Sequence, residues 1–464
     1  MKKYLICIVT VTSVCFTGCE KFLDVNENPN EPSKVQESLV LPAIEYNLVH
    51  NVVAGWASID AAHFMQLIAL NQAPPNVGTY LLNPSDLNDT WYYIYTSCLQ
   101  NLKLLKEQAD ESGNDIYAGI ANVLTAYTLG YATDMWGDIP YSQGLNATET
   151  FHPGYDSQEA VYSSIQNLLD EAISRLQSAA GDAPGDRDYF YSGNAAQWIK
   201  AAYTLKARFY MHLSKAPNHM AAEQAQLALD ALSNGMQSND DDLRLVYDGT
   251  SGKENRWYRN FLPVETIVLS SKTVDSLVSR ADPRIGQLIS RSKLNNDYFG
   301  RTIGSSGIGA LESYSLGGPY YASANSPLYL INYREALLLK AEATFILSGA
   351  EAAEPFYRQA IEADMSHLGV ADGDGVNAYL ANRGDINDEN ALSYIMEEKA
   401  VVNFLSPEIF NDWRRTGYPT LTAVQNAISA IPRKMLYPLN ELTNNPQAQH
   451  SGDLLTNRVW WDTE

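Results

Sequence analysis

Residues Tyr333–Leu368 read YREALLLKAEATFILSGAEAAEPFYRQAIEADMSHL. Two apolar-periodic stretches flank Gly349, and small residues recur on each. Two helices approach closely only where the facing side chains are small, and repeated helix pairs keep such residues at fixed places. Ala341 and Thr344 fall at the small and medium positions of the first helix. Ala353, Tyr357 and Ala360 fall at the matching places of the second, and Gly349 marks the turn. This is the tetratricopeptide pattern, and it predicts an antiparallel helix pair.

Outward from this stretch the pattern returns in looser form. Ala195–Gly235, AAQWIKAAYTLKARFYMHLSKAPNHMAAEQAQLALDALSNG, is a second copy with a longer turn. Tyr117–Asp134 pairs with Ser157–Ser178 across a large insertion, and Ala118, Ala121, Ala126 and Gly130 are the small residues of its helix. A fourth pair is expected from Glu389–Leu405 and a short helix after it. Upstream, Leu39–Leu70 is broadly helical with a break near Gly55, and Thr90–Ala109 forms an amphipathic helix that buries Trp91 and Cys98. The fold class is therefore mostly α: a tetratricopeptide-like helical-repeat scaffold with long irregular loops. Those loops are Asn71–Asp89, Met135–Tyr155, Leu243–Phe261 and Asn295–Pro327. Long aromatic-bearing loops on a rigid frame are where ligand contact is expected.

The N-terminus reads MKKYLICIVTVTSVCFTGCEKFLD. Lys2 and Lys3 precede an uncharged run, Tyr4–Phe16, that is too short to span a bilayer, which takes roughly 20 apolar residues. It fits the apolar core of a signal peptide. Phe16-Thr17-Gly18-Cys19 is similar to the bacterial lipobox, in which the cysteine is acylated after cleavage just before it. One acyl chain holds a protein marginally, whereas two or more anchor it. The expected organisation is a signal peptide over 1–18, a lipidated tether over 19–34 containing DVNENPNEPSK, and a single domain over 35–464. Cys7 and Cys15 leave with the leader, so Cys98 alone remains unmodified. Neither an intramolecular disulfide nor a cysteine metal cluster is available.

The formal net charge is −22, and −24 once Lys2 and Lys3 depart, with 54 acidic side chains against 30 basic ones. Such a chain has no electrostatic footprint for nucleic acid. Charge does not draw it to an anionic membrane either, so lipid must do the tethering. The 29 Tyr, 8 Trp and 12 Phe supply many side chains with an apolar face, often with a polar tip.

An ordered set of motifs now carries a family resemblance. After the lipobox and FLDVNENPN come WGDIPYSQGL (Trp136–Leu145), ADPRI (Ala281–Ile285), YREALLLKAEA (Tyr333–Ala343), FNDWRRTGYPTL (Phe410–Leu421) and IPRKMLYPLNELTNNP (Ile431–Pro446). Each is moderately specific, and the ordered set runs over nearly the whole chain. It resembles the SusD/RagB family of outer-membrane nutrient-binding lipoproteins, closest to the second SusD-like subgroup. The resemblance implies four tetratricopeptide-like pairs supporting a variable binding region on the outer face of the outer membrane. It implies a SusC-like TonB-dependent transporter as partner, an oligosaccharide or in some members a peptide as ligand, no cofactor, and no catalysis.

A sugar ring packs its C–H face on an aromatic ring. The candidate platforms are Trp257 and Tyr258 in KENRWYRNF, Tyr314, Tyr320 and Tyr321 in ESYSLGGPYYASANSP, and Trp56 and Tyr80 near the first polar loop. The segment around Trp257 reads as too polar for core. The rival class is a helical glycoside hydrolase, whose two carboxylates stand about 5 to 9.5 Å apart. Its candidates are Asp134 with Asp138, and Glu397 with Glu398. Adjacent helical residues point to different sides, which disfavours the second pair. The seven His residues form no H-x-x-x-H pair, and no G-x-S-x-G occurs. In WRRTGYP, Arg414 and Arg415 read as structural ion-pair partners rather than anion ligands. In WGD, Gly137 supplies an unusual backbone angle and Asp138 a turn hydrogen bond.

Overall fold

The computed structural model describes residues 36–146, 148–370 and 373–463. The leader, Cys19 and the tether lie outside the described residues.

Four antiparallel helix pairs form the frame: α1 (Asp115–Trp136) with α2 (Gln158–Ser178), α3 (Ala195–His212) with α4 (Ala221–Leu232), α5 (Tyr333–Ser348) with α6 (Ala350–His367), and α7 (Ala391–Val402) with α8 (Glu408–Thr416). Pairs also stack on one another. α2 packs on α3, and α5 packs on both α4 and α7. Polar residues open several of these helices by accepting otherwise orphaned amide protons. Asn114 accepts from the Tyr117 amide, Ser157 from Ala160, Asn194 from Ala196 and Gln197, and Asn332 from Glu335. Ala341, Ala353, Tyr357 and Ala360 are fully buried where α5 meets α6. Thr344 is only half-buried, while Ala343 faces inward towards α4. Gly130 sets the closest approach. A β-carbon there would stand 2.3 Å from the Phe209 ring on α3.

Upstream, helices Glu37–Asn47 and Trp56–Phe64 flank the expected break at Gly55. Residues Ile68–Leu70 depart from the helical expectation. The chain leaves the helix after Phe64, Gln66 takes a φ of +60°, and Ile68–Leu70 becomes a strand, β1. It pairs antiparallel with β3 (Ile267–Leu269), with Ile68 opposite Leu269. A second ribbon joins β2 (Leu243–Leu245) to β4 (Leu328–Ile331). These ribbons clamp the loops, which are therefore not wholly irregular. The loop after β2 contains a short helix, Arg256–Asn260, before β3 begins, and the glycine-rich loop is delivered back into β4. Trp91 and Cys98 are core, and Cys98 is a free thiol.

The interior holds an ionic lattice. Arg208 (α3) makes two hydrogen bonds to Glu335 (α5), at 2.8 and 2.7 Å. Lys399 (α7) lies 2.9 Å from Asp412 and 3.6 Å from Glu408, both on α8. Arg415 (α8) pairs with Glu342 (α5) and with Asp412. The expected structural role of the WRR segment holds: Arg414 donates to the Arg433 carbonyl and Arg415 to these carboxylates, and both are buried. Gly137 has a φ of +91°, as the WGD motif suggested, whereas Asp138 accepts not within its own turn but from the distant Gln158 amide at 2.8 Å, at the start of α2.

Candidate ligand-binding site

The strands and the short helix decide which aromatic rings face outward. Asn255 caps helix Arg256–Asn260 by accepting from the Trp257 and Tyr258 amides, and its own amide group donates to the Ser326 carbonyl at 2.9 Å. One side chain thus fixes the two aromatic loops to each other. Successive residues on a helix point about 100° apart, so Trp257 and Tyr258 cannot share a surface. Trp257 turns inward against Phe261, with only 2 % of its surface exposed. The reading of this segment as too polar for core is corrected: its polar residues flank a ring that belongs to the core. Tyr258 turns outward and is half-buried.

Tyr258 lines a cavity of about 360 Å³ together with Tyr314. Phe261, Leu262, Pro263 and Leu316 add apolar wall, and Ser290, Arg291, Lys293 and Glu312 add polar groups. Tyr314 is held from behind. Its hydroxyl accepts from Arg301 at 3.1 Å, and its ring stacks on Phe299 at 6.0 Å between centroids. Arg301 is buried and also donates to the carbonyls of Leu70, Ser305 and Gly307. It thereby gathers β1 and the glycine-rich loop around Tyr314. Phe299 and Leu294 beside the cavity are more than half exposed. Rings with one free face, next to hydroxyl and charged groups, suit a ligand with apolar faces and polar edges.

The remaining predicted rings are dispersed. Trp56 is 39 % exposed and carries the Arg256 guanidinium 5.4 Å from its ring centroid. Tyr320 is half-buried, and its hydroxyl bonds His367 Nε2 at 2.8 Å. Burial and the nearby Arg334 and Arg244 charges lower the His367 pKa to about 3, so the imidazole is neutral. Tyr321 is buried and donates to the Val402 carbonyl. Tyr80 is buried against Phe64, and its hydroxyl accepts from Gln66. For Trp257, Tyr321 and Tyr80 the expectation of a reachable ring is corrected, because each fills the core between elements. Arg301 was missed by sequence reasoning; an arginine isolated in a glycine-rich loop was its only signal.

The four carboxylates of the rival reading are each engaged in structural contacts. Asp134 is buried, accepting from Tyr162, Asn411 and the Trp461 indole, while Asp138 serves the Gln158 amide. Glu398 is buried on Arg284 at 2.7 Å, whereas Glu397 reaches Arg383 at the surface. Among the described residues no cluster of metal-ligating side chains occurs. No helix among them is long and apolar enough to cross a membrane.

A frame of stacked helix pairs that mounts an aromatic cavity on clamped loops is the architecture of a binding scaffold. The chain belongs to the SusD-like family described as "Starch-binding associating with outer membrane", the match spanning residues 29–438. Its helical-repeat fold recurs in solved structures. A SusD/RagB family protein from Bacteroides thetaiotaomicron superposes with a TM-score of 0.81 at 24% identity, covering 92% of this chain and 99% of that one. A chitin-binding SusD homologue from Flavobacterium johnsoniae gives 0.75 at 23% identity, covering 92% and 96%. A SusD homologue from Bacteroides uniformis gives 0.78 at 22% identity, covering 92% and 99%. No curated protein matches the chain. Family membership carries a nutrient-binding role associated with the outer membrane, and members are binding proteins rather than enzymes.

Proposed function

We propose that this protein captures an oligosaccharide in the cavity lined by Tyr258 and Tyr314 and passes it, uncleaved, to a SusC-like TonB-dependent transporter. The observation that carries this reading is the convergence of those two rings, from loops far apart in sequence, on one cavity with polar groups at its wall. Trp56 and Tyr320 are secondary contacts for a longer ligand. Trp257, Tyr321 and Tyr80 support the loops from within. The chitin-binding relative makes chito-oligosaccharides the first ligands to try, with malto-oligosaccharides beside them. Lipid at Cys19 would hold the protein on the outer face of the outer membrane, and Cys19→Ala is expected to release it from membranes.

The test is calorimetric titration of these oligosaccharides into wild type, Tyr258→Ala and Tyr314→Ala, with product analysis alongside. By analogy with nucleobases, stacking on an aromatic contributes roughly 1–3 kcal/mol per ring. Each truncation is therefore expected to weaken binding about five- to a hundredfold. Unchanged affinity in both variants rejects this cavity as the site. Cleavage of the sugar rejects the non-enzymatic reading, and binding of peptides alone selects the peptide-binding alternative.

A further inference from the structure

A second, larger cavity of about 510 Å³ shares no lining residue with the first. It opens between helix Ser271–Ser279, helix α7 and the segment 419–421, and its lining is net cationic. Three cations line it, Lys272, Arg280 and Arg383, against a single carboxylate, Glu397. Glu397 is already shared, lying 2.9 Å from Arg383 and 3.8 Å from Arg280. Arg383 also packs on the Tyr394 ring at 4.0 Å, which fixes its guanidinium in place. Lys272 has no carboxylate partner among the described residues. Its ammonium donates to the Thr420 carbonyl at 2.7 Å, and burial alone pushes its pKa down. In a chain of net charge −22, Lys272 and Arg280 leave this recess cationic, while Arg383 is taken up by Glu397 at 2.9 Å and by the buried Glu398 at 3.6 Å. The neutral part of the lining supplies side-chain hydroxyls from Thr273, Ser276 and Ser279.

We propose that this cavity binds an acidic saccharide, whose carboxylate is held by Lys272 with Arg280 and whose hydroxyls meet the neutral polar lining. An entering carboxylate gives Lys272 the charged acceptor it lacks, and hydrogen bonds between charged partners are about twice as strong as neutral ones. The volume is ample for a sugar residue, and the hydroxyl lining suits a polyol better than an inorganic anion. This site is independent of the cavity at Tyr258 and Tyr314, so either reading can fail without the other.

The experiment is calorimetric titration, at low ionic strength, of short oligomers of galacturonate, glucuronate and mannuronate, each against its methyl ester. The ester keeps the ring and removes the charge. At least one acid is expected to bind wild type about tenfold or more tightly than its ester, the scale of one hydrogen bond to a charged group. Lys272→Gln and Arg280→Gln are each expected to erase that preference. Both positions reach the surface, and circular dichroism verifies that the variants fold. Tyr258→Ala is expected to leave acid binding unchanged. Equal binding of acid and ester, wild-type acid affinity in both cavity variants, or binding of none of the acids overturns the proposal.

Discussion

At Gly130 the absence of one methyl group decides how near α1 and α3 come. A β-carbon would meet two atoms of the Phe209 ring at 2.3 Å, and the ring has no flexible end to yield. Gly130→Ala is therefore expected to destabilise the protein by about 1–3 kcal/mol, the usual scale of overpacking. Chemical denaturation checks this as a lower midpoint with an unchanged slope. Single residues were unevenly legible in the sequence. Gly130 stands out in an apolar helix, and Trp91 and Cys98 are core because apolar neighbours surround them. Trp257 misled because its neighbours Arg256, Tyr258 and Arg259 are polar, yet one turn of helix sends them away from it. Arg415 was legible as half of an ion pair, but Glu342, more than two helices distant, was not. Charge partners brought together by packing leave no local trace.

Among the elements, α3 depends on the residue that caps its start, just before Ala195. The Asn194 side chain accepts from the Ala196 and Gln197 amides, at 3.1 and 3.4 Å. Asn194→Ala is expected to cost about 1 kcal/mol, seen as a small drop in Tm and faster amide exchange confined to the first turn of α3. Helices were the readable part of this chain because their small residues recur with a period, most clearly over Tyr333–Leu368 and more loosely elsewhere. The strands were not readable. Ile68–Leu70 and Ile267–Leu269 are three residues each, too short to show alternation, and each becomes a strand only because the other lies alongside. The candidate site inherits this limit. Its two loops were identifiable by composition, but their convergence depends on the ribbons, on Asn255 and on Arg301.

At the scale of the whole molecule, stability is linked to pH through His212. Burial opposes charge on the ring, but Glu408 at 2.8 Å and Asp134 at 3.2 Å overcome it and hold the pKa up to about 9, against an ordinary value of 6.5. A folded pKa raised above the unfolded one means that protonation favours the native state. That contribution is complete below pH 6.5 and is lost as the pH rises through about 9. Thermal melts of wild type and His212→Gln across this range are expected to converge towards the alkaline end. A gap that stays constant would show that His212 does not titrate there.

The ionic lattice has a mechanical meaning for the loops mounted on the frame. In a repeat array whose units touch only their neighbours, terminal units can open alone. Here Arg208, Glu335, Lys399, Asp412, Arg415 and Glu342 latch α3, α5, α7 and α8 to one another. Peeling away any one of these helices strands a buried charge, which costs far more than the lost packing of a terminal turn. The four helices therefore open together, and the slowest-exchanging amides in each should share one opening free energy. A frame built this way keeps the loops mounted on it in register under tension at one end, and gives way all at once rather than by degrees.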